Sequence, residues 1–365
     1  MKKMMIVNTY RFRGLLLWIV LFFVGHSYGQ TGATYPFEKT LHVTTENLVN
    51  VVNNLGDIRI VGWDREIIQL EIIVRDSKNG KILQHTNALT PQIIRTGQEI
   101  TIAMKWEDQS ENWFSSWIND KIKSIGKSDF WVGYTLNVPN TMDLNIVNEF
   151  GNVSIESWDS DLYIDQQHGQ LVIDGNISNA NGVLKFVEAK FGSVSRVKMD
   201  LKQTNIEAYS IDVFESESVG GVYEIENIGQ LNLVSSRDEL KINYAARCDI
   251  DANFSEIIID RLSERSKFEI QFVTMNILGF RDGIVPLDIN QRSSQVSVFV
   301  GDDPFEFKGQ VDGGTLRLPL STKILQVESL DNKDKQKKIH AHYGNGVGET
   351  INLISKNGNV IFKNQ

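Results

Sequence analysis

Two imidazoles separated by a single residue, His340-x-His342, project from the same face if the segment is a strand, because side chains alternate sides along an extended backbone. Such a pair offers two nitrogen ligands, and a divalent metal would need a third residue from elsewhere in the chain. Taken alone, the pair reads as an incidental surface pair. Gly25-His26-Ser27-Tyr28-Gly29 satisfies the G-x-S-x-G pattern of a nucleophile elbow, but an elbow needs a strand before the serine and a helix after it inside an α/β domain. Gly344-Asn345-Gly346-Val347-Gly348 is glycine-rich, yet no Lys-Ser/Thr follows to hold a phosphate, so it reads as a turn. A glycosidase or polysaccharide lyase needs carboxylates, or a Lys or Arg base, converging on a groove. Asp159, Asp161 and Asp165, and Glu215, Glu217, Glu224 and Glu226, recur instead on the polar side of an alternating pattern, as on the wet face of strands. His42, His85 and His168 stand alone, and calcium repeats of the G-G-x-G-x-D type are absent. No catalytic, cofactor-binding or metal residue is assigned, and the expectation is a protein that is not an enzyme.

The serine pattern lies at the end of a three-part leader. Lys2, Lys3, Arg11 and Arg13 precede the apolar run Leu15 to Val24, and small residues follow to Gly29. This is the layout of a secretory signal peptide cleaved near Gly29–Gln30. The run is too short for a bilayer-spanning helix, which takes about 20 residues. The single cysteine, Cys248, rules out an intramolecular disulfide and lies far from the cleavage position, so acyl anchoring there is not expected. In Ala246-Arg247-Cys248-Asp249-Ile250 it shares parity with Ala246 and Ile250, as a small inward-facing residue would. Without residues 1–29, Lys+Arg falls from 37 to 33 against 46 Asp+Glu, a net charge of −13. That balance disfavours a nucleic-acid partner, which is held through clustered basic residues. The one basic run, Lys333 to Lys338, reads as a solvated loop.

The elements that must carry these residues are strands. Val and Ile recur at alternate positions between turn residues along most of the chain, the pattern of many short strands. Asn53-Asn54-Leu55-Gly56-Asp57-Ile58-Arg59-Ile60-Val61-Gly62-Trp63-Asp64 aligns without gaps on Asn148-Glu149-Phe150-Gly151-Asn152-Val153-Ser154-Ile155-Glu156-Ser157-Trp158-Asp159. The shared pattern is N-x-[LF]-G-[DN]-[IV]-x-I-x-[GS]-W-D. Looser copies follow at His168 to Ile173, Phe191 to Val194, Ile228 to Leu233 and Asn357 to Phe362. The spacing of the glycines at 151, 169 and 192 suits stacked coils of about 20 residues. Val153 and Ile155 would face inward and Asn152, Ser154 and Glu156 outward.

The less repetitive stretch from Phe37 to Val138 predicts strands at 40–43, 49–52, 57–62, 67–74, 99–104 and 131–138, with a short helix around Lys78 to Ala88. Trp113, Phe114, Trp117, Ile118, Ile122 and Ile125 fall at helical spacing and predict an amphipathic helix over about 109–125, with Asp108 and Glu111 as a capping box and Lys121, Lys123 and Lys127 near its end. That helix would cover an open side of the strands or, through Trp113, Phe114 and Trp117, make a peripheral membrane contact.

At Gly133-Tyr134-Thr135-Leu136-Asn137-Val138-Pro139-Asn140, then Leu144-Asn145-Ile146, then Gly151-Asn152-Val153-Ser154-Ile155, the chain resembles the putative-adhesin family of bacterial β-strand-repeat proteins. The resemblance runs from about Phe37 to Phe280, is faint between Gly283 and Ala341, and ends on the Asn357 to Phe362 unit. It implies a β-solenoid or β-roll of stacked short strands, and adhesion is the family's label; no site residue carries over. The aromatic helix departs from the family pattern.

The resulting expectation is an all-β chain: residues 1–29 a signal peptide, 30–138 an N-terminal β region with the inserted helix, 139–290 a β-strand-repeat solenoid and 291–365 a C-terminal β region. A β-sandwich is the competing architecture, because Asn79-Gly80, Asp174-Gly175, Asn181-Gly182, Asp282-Gly283, Asp312-Gly313, Asn345-Gly346 and Asn357-Gly358 are hairpin-type dipeptides. The expected role is an exported, non-enzymatic, adhesin-like scaffold of the cell envelope or surface, in the periplasm, on the outer membrane or outside the cell, binding a protein or glycan without a cofactor. An envelope regulatory or assembly component comes second, and a carbohydrate-active β-helix enzyme third.

Overall fold

Alternating Val/Ile segments bury one side only when other segments cover it; among the described residues 23 strands join in one sheet, and their inward residues form one apolar cluster. The computed structural model describes residues 37–44, 46–82, 89–106, 130–331, 335–345 and 348–364. The fold is all-β, and no helix occurs among the described residues. The leader over 1–29 and the helix over 109–125, with Trp113, Phe114 and Trp117, lie outside them.

The first strands are β1 (Phe37–His42), β2 (Leu48–Leu55), β3 (Ile58–Trp63), β4 (Ile67–Asp76), β5 (Leu89–Thr96), β6 (Glu99–Trp106), β7 (Phe130–Pro139), β8 (Asp143–Phe150) and β9 (Val153–Lys202). The two copies of the sequence repeat are spatial neighbours. β2 runs parallel to β8 with Asn53 against Asn148, and β3 parallel to β9 with Ile58 against Val153 and Ile60 against Ile155. Several shared positions of the pattern have a physical reason. The Asp/Asn position caps the next copy: Asn152 N–H donates to Asp57 Oδ1 at 2.8 Å, and Gln170 N–H to Asn152 Oδ1 at 3.0 Å. The glycine position leaves no room for a side chain, since a Cβ on Gly151 would lie 2.0 Å from the Gly56 carbonyl oxygen, and one on Gly169 would lie 2.1 Å from that of Gly151. Trp158 is fully buried and donates its indole N–H to Met142 O at 3.0 Å. On the outside of the same turn Phe150, His168 and Phe186 stack with ring centroids 4.9 Å apart.

The next strands, β10 (Asn205–Val219), β11 (Val222–Ser236), β12 (Glu239–Asn253) and β13 (Glu256–Leu262), pair in parallel with Asn205 beside Val222, Val222 beside Glu239 and Glu239 beside Glu256. The step from each strand to the next is constant and shorter than the expected coil. Side chains one step apart bond to each other or to the backbone along it, as Gly221 does with Asp238 and Asn243 with Glu226. Inward residues in β10 are Ile206, Ala208, Ile211, Phe214, Ser216 and Ser218. Their spacing is two along straight stretches and three at the bend, where one residue is used up in turning. The extra residue corrects the expected parity of Cys248: its inward neighbours are Ala245 and Ile250, and Ala246 is only half-buried. Gly192 likewise belongs with Gly175, one such step before it, against whose backbone it packs, and not with Gly169.

A second bend recurs at Gln203, Gly220, Arg237, Phe254 and Phe272, all in the left-handed region with φ from 47° to 72°. Left-handed backbone costs an L-residue only about 1–2 kcal/mol, and four of these five corners are occupied by residues other than glycine, so glycine spacing alone does not mark the period. Each corner is held by a backbone bond to the neighbouring segment, as from Gln203 N–H to Val219 O at 2.8 Å and from Arg237 N–H to Asn253 O at 3.0 Å. Beside this column the buried Asp238 carboxylate accepts from Gly221 N–H and from the Ser235 hydroxyl, both at 2.7 Å.

The last strands are β14 (Ser266–Gln271), β15 (Thr274–Ile277), β16 (Leu287–Arg292), β17 (Gln295–Phe299), β18 (Phe305–Asp312), β19 (Thr315–Arg317), β20 (Lys323–Ser329), β21 (Gln336–Tyr343), β22 (Glu349–Lys356) and β23 (Asn359–Lys363). Here chain order and sheet order part. β22 lies in parallel between β16 and β18, and β23 between β17 and β19. β21 then adds antiparallel to the far side of β18, and β20 antiparallel to β21.

The helix expected from Lys78 is replaced, over its described part, by a turn. Asp76 Oδ1 accepts from Lys78 N–H and Asn79 N–H, and Gly80 N–H closes onto Asp76 O, so Asp76 and Asn79-Gly80 reverse the chain. Most of the other dipeptides do not close hairpins: Asp174-Gly175 and Asn181-Gly182 are bends within β9, and Asn357-Gly358 links β22 to β23, which are not paired to each other. β5, antiparallel to β6, has no counterpart among the strands expected from the sequence.

Candidate functional site

The outer face of β22, β18, β21 and β20 gathers the groups of greatest chemical interest. Phe305, Phe307 and Val311 point into the core, which turns Glu306, Lys308 and Gln310 outward. The antiparallel register sets Glu306 opposite His342 and Lys308 opposite His340. His340 and His342 share one face of β21, as their spacing predicts, and the structure supplies the third ligand-type residue that the sequence left unnamed. His340 Nε2 lies 2.8 Å from Glu306 Oε1, and His342 Nε2 lies 3.9 Å from the same oxygen. The two rings meet edge to face with centroids 5.4 Å apart. Glu306 Oε2 is held separately, by Lys308 Nζ at 2.8 Å and by the Thr350 hydroxyl of β22 at 3.1 Å. Hydrogen bonds from Lys308 and then His340 hold the Glu306 carboxyl down at about 2, so it is ionised throughout the neutral range.

No local pattern announces Glu306. It is one acidic residue in an alternating strand, and its approach to the histidines depends on pairing with a distant segment, in which His340 comes 34 residues later. Next to this cluster a groove of about 490 Å³ is lined by Gln310, Gln326, Glu328, Lys338, His340 and Ile354. Its rim is β20, in which all seven residues are exposed, among them Ile324, Leu325 and Val327. No strand pairs with the second edge of β20 among the described residues.

Of the acidic residues singled out by the sequence, Glu224 and Glu226 line one open groove with Glu207 and Lys190, and Asp161 and Glu215 are not among its lining residues. Asp161 accepts from Asn179, Glu215 pairs with Arg196 at 3.3 Å, and Glu226 accepts from Asn243 at 2.6 Å. Glu217 and Glu224 stand exposed on different strands. His168 is not isolated, being the middle ring of the Phe150–Phe186 stack. His85 lies outside the described residues, as does part of the Gly344–Gly348 segment. Cys248 is fully buried, stacked in register on Leu231 and Phe214, and burial pushes its thiol far above the ordinary value. The folded protein is therefore expected to leave a thiol-reactive disulfide reagent unconsumed and to release one equivalent of thiol only in denaturant; rapid reaction under native conditions would contradict that burial.

No protein-family profile and no curated protein matches the chain. Among solved structures it is similar to a putative cell adhesion protein from Clostridium sporogenes, at 8% identity and a TM-score of 0.18 over 90% of this chain and 99% of that one. It is also similar to a putative adhesin from Bacteroides fragilis, at 13% identity and a TM-score of 0.35 over 70% of this chain and 98% of that one. A third likeness, to a putative lipid binding protein from Parabacteroides distasonis, has 13% identity and a TM-score of 0.35 over 71% and 95% of the two chains.

Proposed function

We propose that this chain is an exported, non-enzymatic scaffold of the cell envelope or surface, a β-solenoid in the manner of an adhesin, which takes a protein partner along the open edge of β20. The observation that carries the reading is that edge. β20 presents seven consecutive exposed residues, with apolar Ile324, Leu325 and Val327 at its centre and no neighbouring strand on one side among the described residues. Sheet proteins ordinarily blunt such edges with charge, proline or a covering element. An extended polypeptide can add a strand to such an edge through main-chain hydrogen bonds, while its side chains find the apolar ones. A glycan offers no matching backbone ladder. The constant parallel step and the repeat stacked on itself support the solenoid reading, and the leader-like segment over 1–29 supports export.

The test is binding of the chain to envelope extracts, with and without protease digestion of the extract, alongside a glycan array. Leu325→Lys with Val327→Lys places two charges on the edge at exposed positions. The expected result is binding lost on digestion of the extract and weakened at least about 10-fold by the double substitution, since each removed apolar anchor is worth roughly 1 kcal/mol or more. Undiminished binding by the variant, or binding to glycans alone, would overturn the reading.

A further inference from the structure

We propose that Glu306, His340 and His342 form a binding site for a first-row divalent transition-metal ion such as Zn²⁺, independent of the partner reading above. The three ligand atoms lie within 4.8 Å of one another. Zinc bound by two imidazoles and a carboxylate takes Zn–N and Zn–O bonds of about 2.0–2.2 Å, which puts the ligand atoms roughly 3 Å apart, so a change of side-chain torsion suffices to close the set. The ligands stand on adjacent strands, with Glu306 directly opposite His342 and His340 two residues along the same face of β21, opposite Lys308.

The two carboxylate oxygens already have distinct roles. Glu306 Oε1 faces both imidazoles, while Oε2 is fastened from behind by Lys308 and Thr350. A ligating carboxylate held by hydrogen bonds through its other oxygen is the usual outer arrangement around a metal. Two imidazoles and one carboxylate suit zinc, copper or nickel and disfavour magnesium and calcium, which take oxygen ligands. All three residues are half-buried, so the site is reachable and leaves a coordination position for water. A bound ion would tie β18 to β21 and, through β21, hold β20 at the rim of the groove.

The experiment uses the full chain without an affinity tag, stripped with a chelator and titrated with ZnCl₂ while heat release and thermal unfolding are followed. One equivalent of Zn²⁺ is expected to bind and raise the unfolding temperature, with reversal by chelator and no response to MgCl₂. His340→Ala and Glu306→Gln are each expected to weaken binding by more than about 10-fold, and Thr350→Val by about 10-fold through the lost carboxylate support. Co²⁺ in place of Zn²⁺ should give the intense visible bands of a low-coordinate nitrogen and oxygen site in the unaltered chain. That spectrum decides the matter should a variant fail to fold. Absence of one-equivalent binding by the unaltered chain, or equal affinity in His340→Ala, would overturn the proposal.

Discussion

Replacing Gly151 by alanine is expected to destabilise the protein by about 3–5 kcal/mol, at the upper end of what a single substitution does. The residue has φ of 134°, where an L-side chain is strained, and its Cβ would lie 2.0 Å from the backbone oxygen of Gly56. Neither partner is a flexible side chain that can swing away. Gly56 in turn sits against the Val132 backbone, with its own Cβ position 2.0 Å from that carbonyl oxygen, and Gly169 sits against Gly151. Relief therefore requires parting parallel strands normally about 4.8 Å apart. Gly97→Ala is the control: its φ is 61° but nothing lies within 4 Å of the added methyl, so only the backbone cost of about 1–2 kcal/mol remains. Denaturant midpoints of the two variants measure the difference, and equal shifts would show that the close approach of the glycines carries no weight.

Ile155→Asp is expected to abolish folding or reduce stability by several kcal/mol, whereas Glu156→Ala changes it by less than about 1 kcal/mol. Ile155 is fully buried and lies beside Ile60 in the stacked repeat. The substitution removes about 1.5–3 kcal/mol of apolar burial and places a carboxylate inside the apolar cluster. Glu156 faces the other way, paired with Arg59 at 2.8 Å, and both side chains of that pair are about half exposed. Thermal unfolding of soluble variants gives the comparison. Similar losses from both substitutions would contradict the alternation on which the all-β assignment rests.

What could be read from the sequence divides along a physical line. Local alternation located β2, β3, β4, β6 and β7 closely, and put Val153 and Ile155 inside, where they are found. The Asn53–Asp64 repeat was legible because its turn is governed by sterics that only glycine satisfies, and its copies lie beside each other despite a separation of 95 residues. Beyond β9 the corners are held by backbone hydrogen bonds and do not exclude a side chain, so Gln203, Arg237 and Phe254 occupy them in place of glycine and the constant step is hidden. Parity arguments failed at Ala246 because a bend consumes a residue that a straight strand does not. Glu306 was invisible for a different reason: the pairing of β18 with β21 leaves no trace in either segment alone.

The position of β22 and β23 bears on how the molecule is made. Between Asn205 and Leu262 each segment pairs with the one before it in the chain, so that part can grow in chain order by short-range contacts. Residues 349–363 are different, for β22 comes to lie between β16 and β18, and β23 between β17 and β19, all of which precede them in the chain. Until they are translated, β16 and β18 cannot reach their final separation, and both keep a bare rim. Asn352 of β22, which bonds Asp288 of β16, is made 64 residues after it. That distant segment must therefore be present before this end of the sheet can close, and completion there is an act of insertion, not of addition.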